Sequence, residues 1–179
     1  INRRQRQMCI RDRFQGTLKL MGDFETADYV MTNTGFQENN ISLKSGLNRI
    51  DHGFEIYYSL FSNQIGILRS SHAHTANDII NAINNEIPSV IEEFSYDINI
   101  PRQKISHNLV KIKAFKNFNF GKLSMRYDYQ VNDRKEFDIR RQDYIKKPAL
   151  DLNLQTHSLA LDVESKFDGS SNFKAGVSG

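Results

Sequence analysis

The stretch "GKLSMRYDYQVN" (residues 121–132) has two chemically opposite faces when it is read as a β-strand. One face carries Leu123, Met125, Tyr127, Tyr129 and Val131, and every position between them is charged or polar. Side chains alternate between the two faces of a strand, so one face here is wholly apolar. A soluble sandwich would bury that face against a second sheet, whereas an outer-membrane barrel would expose it to lipid.

The same period of two recurs along most of the chain and predicts an all-β fold. The predicted strands lie near residues 14–22, 40–47, 54–65, 104–116, 122–132, 155–167 and from 172 onward. The connectors then cover residues 23–37, 48–53, 66–103, 117–121, 133–154 and 168–171. Long and short connectors alternate, and the short ones are rich in the turn formers Asn, Asp and Gly.

This sorting of the connectors by length favours one architecture. In an up-and-down antiparallel sheet, successive connectors lie at opposite edges, so all short turns share one edge and all long loops share the other. Outer-membrane barrels have this arrangement. We therefore predict an antiparallel up-and-down transmembrane β-barrel segment of about seven strands. The alternative is a soluble β-rich binding module, lipocalin-like or a sandwich, which explains the alternation but not the sorted connectors.

The longest predicted loop, residues 66–103, contains one helical pattern. Thr75 and Asp78 have the spacing of a capping box, isoleucines recur at helical spacing after them, and Pro88 ends the pattern. The sequence therefore predicts a short helix from about Thr75 to Glu86. A loop of this length that carries its own helix is usually functional.

Composition sets further bounds. The chain has 179 residues with 12 Phe, 7 Tyr and no Trp, an aromatic content that argues against disorder. No apolar run reaches the length of a transmembrane helix, and the first twenty residues lack the apolar core of a signal peptide. We expect the true start of an exported protein to lie upstream of this sequence. No nucleophile, phosphate-binding or metal-ligand motif predicts an enzyme or a cofactor.

Residues 1–13, "INRRQRQMCIRDR", differ in composition from the rest of the chain. They hold five Arg and the only cysteine, Cys9, and they account for the positive net charge of +3. A disordered arm and a nucleic-acid contact are possible interpretations, but the string resembles translated adaptor sequence at the end of an assembled reading frame. We therefore exclude residues 1–13 as a non-native or disordered tip, predict no nucleic-acid partner, and assign residues 14–179 to a partial barrel domain.

Several segments in collinear order resemble the barrels of TonB-dependent outer-membrane receptors, most closely those for iron complexes. They are "DYVMTNTGFQENNISL" (28–43), "YYSLFSNQIGILRSSH" (57–72), "FSYDINIPRQKISHNLVKIKA" (94–114), "YDYQVNDRKEFDIRR" (127–141) and "PALDLNLQTHSLALD" (148–162). The resemblance implies an internal piece of a plugged barrel in the outer membrane of a Gram-negative bacterium, without its plug domain. It also implies import of a scarce nutrient, such as a ferric siderophore, driven by the TonB complex through the plug.

Candidate ligand-binding residues lie where the long loops leave their strands. Arg69, His72 and Arg102 are the predicted ligand-binding residues, because guanidinium groups bind the oxygens of anionic chelates. Arg140 and Arg141 have similar positions near the next loop. The alternative is ion pairing of these arginines with Asp97, Asp138 and Asp143. The "SHAH" spacing of His72 and His74 would suit a metal, but two exposed histidines are the simpler interpretation, so no protein-bound metal is predicted.

Overall fold

The computed structural model describes residues 9–71, 75–85, 87–138, 147–167 and 171–179. Its strands are β1 (Cys9–Met21), β2 (Phe24–Glu25), β3 (Val30–Met31), β4 (Phe36–Asn48), β5 (His52–Gly66), β6 (Arg102–Phe118), β7 (Gly121–Phe137), β8 (Leu150–Phe167) and β9 (Ser171–Ser178). A 3₁₀ turn (Arg69–Ser71) and one α-helix, α1 (Ala76–Asn84), lie between β5 and β6. Among the described residues, no helix is long and apolar enough to cross a membrane.

Seven of the strands form one antiparallel sheet in the order β1-β4-β5-β6-β7-β8-β9. Each strand pairs with the next strand of the sheet along the chain, which confirms the predicted up-and-down order. The remaining strands, β2 and β3, form a separate small hairpin inside the first long connector, and no sequence pattern predicted it. The fold is therefore mostly β, with one short helix.

The connectors lie at two edges, as predicted. The pairs Asn48↔Gly53 and Phe118↔Gly121 close tight turns at what we call the short-turn edge, where β8 also returns into β9. Gly121 is required in its turn, because it has a φ of 154° and a Cβ there would collide with the Glu164 carbonyl. Residues 22–35, 67–101 and 138–149 connect strands at the opposite, long-connector edge.

The strands are longer than the sequence predicted. β1 begins at Cys9 rather than near residue 14, and residues 9–13 pair with β4 in continuous register. The predicted start of the first strand, near residue 14, was therefore five residues too late. Ladder hydrogen bonds come from the backbone, so an Arg-rich segment can pair as well as an apolar one at an open edge. β8 likewise begins at Leu150, before the apolar alternation starts at Gln155.

The pairing registers gather the predicted apolar positions onto one face of the sheet, which we call the apolar face. One cross-strand row contains only apolar side chains from all seven strands: Ile10, Leu47, Phe54, Ala114, Met125, Leu161 and Val177. The opposite, polar face carries cross-strand ion pairs. These include Lys44–Glu55 (Nζ–Oε2 2.7 Å) and Lys111–Asp128 (Nζ–Oδ1 3.6 Å).

The apolar face does not pack into a closed core. Leu123, Met125, Leu159 and Leu161 are exposed, and Val110, Ile112 and Tyr127 are half-buried beside their neighbours. The chain exposes 13655 Å² of surface. A compact soluble protein of its mass, 20.7 kDa, would expose about 8,900 Å². In the described part of the chain, the buried hydrophobic core consists of Ile98, which lies in a connector rather than in the sheet.

The sheet curls around its polar face. A flat sheet would hold β1 and β9 about 29 Å apart, six strand spacings of about 4.8 Å. Instead, Arg11 of β1 and Ser178 of β9 both line one cavity of about 720 Å³. Most of its other lining side chains, such as Glu55, Lys113 and Arg126, belong to the polar face. The polar face is therefore concave, and the apolar face is convex.

Candidate functional site

Most of the buried residues that the structure describes lie where two long connectors meet at the long-connector edge. We call the described parts of residues 22–35 and 67–101 the loop unit. Asp23, Thr32, Asn33 and Ile98 are all at most 9% exposed there, and Pro101 is fully buried. Because three of these five side chains are polar, hydrogen bonds rather than apolar packing must hold the unit together.

Asn33 lies at the centre of the loop unit. Its Nδ2 donates to the carbonyl oxygens of Ile67 (2.9 Å) and Pro101 (2.8 Å), and its Oδ1 accepts from the Asn99 N–H (2.7 Å). Ile67 directly follows β5 and Pro101 directly precedes β6, so one side chain from the first loop ties both stems of the second. Asn33 has a φ of 65°, a conformation that asparagine tolerates better than most residues.

The two threonines beside Asn33 extend this network. The Thr32 carbonyl accepts from the Arg69 N–H (3.2 Å), and its hydroxyl accepts from the Glu92 N–H (2.9 Å). The Thr34 N–H donates to the buried Asp23 carboxylate (Oδ1, 2.8 Å). Residues 32–34 therefore stabilise the connector 22–35, to which they belong. They also bind both ends of the described part of the connector 67–101.

Arg69, one of the predicted ligand-binding residues, lies at the base of the second loop. Its Nη1 is 2.8 Å from the Glu92 Oε1, and both side chains are partly exposed. Ion pairing was the alternative interpretation of this arginine, but the observed partner is Glu92 rather than one of the aspartates considered. An ion pair this exposed contributes little stability, so Arg69 can exchange Glu92 for a ligand at small cost.

Arg102, the second predicted residue, begins β6 at the other stem of the loop. It donates to the Ile98 carbonyl (Nη1–O 3.0 Å), and its guanidinium lies 5.0 Å from the centre of the Phe137 ring. Its Nε is buried without a hydrogen-bond partner. The Ile67 N–H donates to the Pro101 carbonyl (3.0 Å), so the two predicted arginines belong to one connected unit. His72, the third predicted residue, lies outside the described residues, as do Arg140 and Arg141.

The predicted helix is present as α1, and both hydrogen bonds of its capping box form. The Asp78 N–H donates to the Thr75 hydroxyl (3.1 Å), and the Thr75 N–H donates to the Asp78 carboxylate (2.8 Å). The helix ends at Asn84, short of the predicted Glu86, which lies outside the described residues. Its apolar positions Ile79 and Ile83 are exposed, so the helix leaves an apolar stripe on the surface of the loop unit.

The hydrogen-bonded turn at residues 32–34 was not predicted from the sequence. An Asn between two threonines, with a glycine two residues after it, is a signal for a tight turn held by side-chain hydrogen bonds, and this could have indicated local order. Nothing in the pattern indicates hydrogen-bond partners sixty or more residues away.

Comparison with known proteins adds no functional assignment, since no family model, curated protein or solved structure matches the chain.

Proposed function

We propose that this chain forms part of the wall of a TonB-dependent outer-membrane receptor that imports a scarce nutrient such as a ferric siderophore. The observation that supports the barrel wall most strongly is the convex apolar face, whose side chains are exposed or half-buried on all seven strands of the sheet. A soluble binding module would bury such a face in a closed interior. Among the described residues, the sheet encloses no apolar interior. Lipid is the solvent that would favour an apolar face exposed in this way.

Aromatic side chains border the apolar face on both sides, as in membrane barrels. Phe14, Tyr58 and Tyr129 share one cross-strand row towards the long-connector edge, and the Tyr129 ring lies 4.5 Å from that of His157. Towards the short-turn edge, Phe118 stacks on a neighbouring aromatic ring. Eight residues separate the two levels along β6, about 26 Å, or about 20 Å across the membrane at the usual tilt.

Strand length also supports a membrane crossing. The five strands from β4 to β8 contain 13, 15, 17, 17 and 18 residues. Soluble strands are usually about 5–6 residues long. A strand of 13 residues tilted by about 45° rises about 30 Å, the thickness of the hydrocarbon core. The longer strands would continue beyond the membrane and support the loop unit above it.

The orientation of the faces can be tested with a polarity-sensitive fluorophore. We would replace Cys9 with Ser, introduce Met125→Cys or Arg126→Cys, and attach bimane to the full chain reconstituted in lipid vesicles. These neighbours lie on opposite faces. We expect blue-shifted emission and quenching by lipid-bound nitroxides at position 125 but not at position 126. Equal quenching of both labels by a water-soluble quencher would contradict the proposal.

The loop unit is the candidate ligand-facing element, because long loops can fold over the mouth of a barrel. Replacing residues 73–98 with a short Gly-Ser linker should weaken ligand binding at least about tenfold, equivalent to about 1.4 kcal/mol. Measuring Arg69→Ala and Arg102→Ala separately would show how much each end of the loop contributes to ligand affinity. Affinity should be measured by calorimetry and uptake by radioactive iron, with circular dichroism as the control for an intact sheet. Unchanged affinity would show that other elements hold the ligand.

A further inference from the structure

A basic cluster lines the cavity on the concave face, in the half of the sheet nearest the short-turn edge. The cavity, of about 720 Å³, has the size of a small-molecule site. Four basic and two acidic side chains are part of its lining: Arg11, Lys113, Lys122 and Arg126, against Glu55 and Asp162. The wall of the cavity therefore carries an excess of positive charge.

The pairing register places small and long side chains side by side in this cavity. One cross-strand row of the concave face runs through Arg11, Gly46, Glu55, Lys113, Arg126, Ala160 and Ser178. Four of these seven side chains are long and charged, and the other three are small. The small residues leave open space that the long charged side chains border.

Lys113 is an exposed lysine at the centre of this row. Its direct cross-strand partner is Glu55, but the Glu55 carboxylate pairs with Lys44 instead (Nζ–Oε2 2.7 Å). Arg126, its partner on the other side, pairs with Asp128 (Nε–Oδ2 3.2 Å). Among the described residues, no carboxylate lies within ion-pair distance of Lys113. Its ammonium group is therefore free to meet a ligand.

Lys122 adds a second positive charge to the lining. Its Nζ lies 5.0 Å from the centre of the Phe115 ring. That ring lies so close to the backbone of Gly53 that a Cβ there would collide with it. The ring thus positions the ammonium group without neutralising its charge. Asp162, the other acidic residue of the lining, can offset only one of the unpaired cations.

We infer that this basic cluster binds a small anion that carries two or more negative charges. Hydrogen bonds between charged groups are stronger than neutral ones, and lysine binds as a point charge, so phosphate and carboxylate groups both fit. The inference goes beyond the proposed function, because the cluster lies in the half of the sheet away from the loop unit. It requires the concave polar face but not a lipid environment.

The test uses the full chain in nonionic detergent micelles at low salt, with the Kd measured by calorimetry. Inorganic pyrophosphate and tricarballylate are the probes, and the tighter of the two identifies whether the site prefers phosphate or carboxylate groups. Lys113→Gln should raise the Kd of the tighter probe about tenfold, the effect of one lost hydrogen bond between charged groups.

Lys104→Gln is the matched control for this substitution. Lys104 is also an exposed lysine of β6, but it projects from the opposite face of the sheet, so its loss should leave the Kd within about twofold. Because Lys113 is exposed and makes no ion pair with the described residues, both variants should unfold at the same temperature. This comparison separates a loss of binding from a loss of folding.

Glu55→Gln should act in the opposite direction. It removes a negative charge from the lining and releases Lys44, so the Kd should fall about threefold. If the ion pair served only to hold the strands together, its loss would not tighten binding.

Three results would overturn the inference: no binding of either probe by the unchanged chain, equal Kd values for Lys113→Gln and Lys104→Gln, or weaker binding by Glu55→Gln. Binding of a polyglutamate peptide but of neither probe would instead assign the cluster to an acidic protein segment. The fluorophore experiment at positions 125 and 126 distinguishes this inference from the proposed function. If position 125 does not face lipid but Lys113→Gln and Glu55→Gln behave as expected, the proposed function fails and the inference stands.

Discussion

In lipid vesicles, replacing Met125 with Arg is expected to destabilise the sheet by about 2–4 kcal/mol, because the proposed fold places this Arg against lipid near the middle of a membrane barrel. Met125 pairs with Ala114 and Leu161 in the row of seven apolar side chains. That row lies midway between the two aromatic levels, so the guanidinium could not reach water easily at either edge. The free energy of unfolding should be measured by guanidinium titration in lipid vesicles, with far-ultraviolet circular dichroism as the signal.

Ser124→Arg is the matched control for this substitution. Ser124 precedes Met125 in β7 but projects from the polar face, where its cross-strand partner is Asp162. A new arginine beside a carboxylate on that face should change the free energy of unfolding by less than about 1 kcal/mol. If Met125→Arg and Ser124→Arg lowered the free energy of unfolding equally, the apolar face would not lie in lipid. That result would favour the soluble β-rich binding module instead.

The sheet itself could be predicted from the sequence, because its determinants are local. Alternation over ten or more residues fixes which side chains share a face, as in β7, where Leu123, Met125 and Tyr127 lie on the apolar face. Alternating connector lengths then fix the strand order without any knowledge of long-range contacts. The same reasoning found the capped start of α1, since a capping box spans only four residues.

The ends of the strands could not be predicted as well. Near them, apolar and polar residues no longer alternate in the way they do along the middle of each strand. Leu150, Leu152 and Leu154 of β8 project from the polar face, opposite to Leu159 and Leu161 of the same strand. The apolar side chains thus change face along one strand, so the hydrophobic pattern alone placed its start too late. Residues 9–13 show the same limit, since their pairing with β4 depends on backbone hydrogen bonds rather than on side-chain type.

The loop unit was beyond sequence reasoning for a different reason. The length of residues 66–103 and their predicted helix indicated a functional loop, but its order depends on Asn33, which precedes that loop by more than thirty residues. Side-chain hydrogen bonds to backbone groups leave no periodic trace in a sequence. Arg69 and Arg102 were proposed as ligand-binding residues because they flank strand ends, a prediction that still awaits its test, whereas their contacts with Glu92 and Ile98 were not predicted.

Asn33→Gly is expected to loosen the second loop while leaving the sheet intact. The substitution keeps the positive φ available and removes three hydrogen bonds, to Ile67, Pro101 and Asn99. At about 1 kcal/mol each, their loss should destabilise the closed loop by about 3 kcal/mol, which makes its opening about a hundredfold more frequent. Hydrogen exchange of peptides covering residues 67–101, read by mass spectrometry, would measure this change.

Two further variants separate the causes of that loosening. Asn33→Ala removes the same hydrogen bonds and also forces a Cβ into a left-handed conformation, so it should cost about 1–2 kcal/mol more than Asn33→Gly. Asn99→Ala keeps the backbone N–H that Asn33 uses and removes only an exposed side chain, so exchange in the loop should match the unchanged chain. If Asn33→Gly also exchanged like the unchanged chain, contacts such as that between the Asp23 N–H and the Ser95 carbonyl (2.9 Å) would hold the loop unit without Asn33.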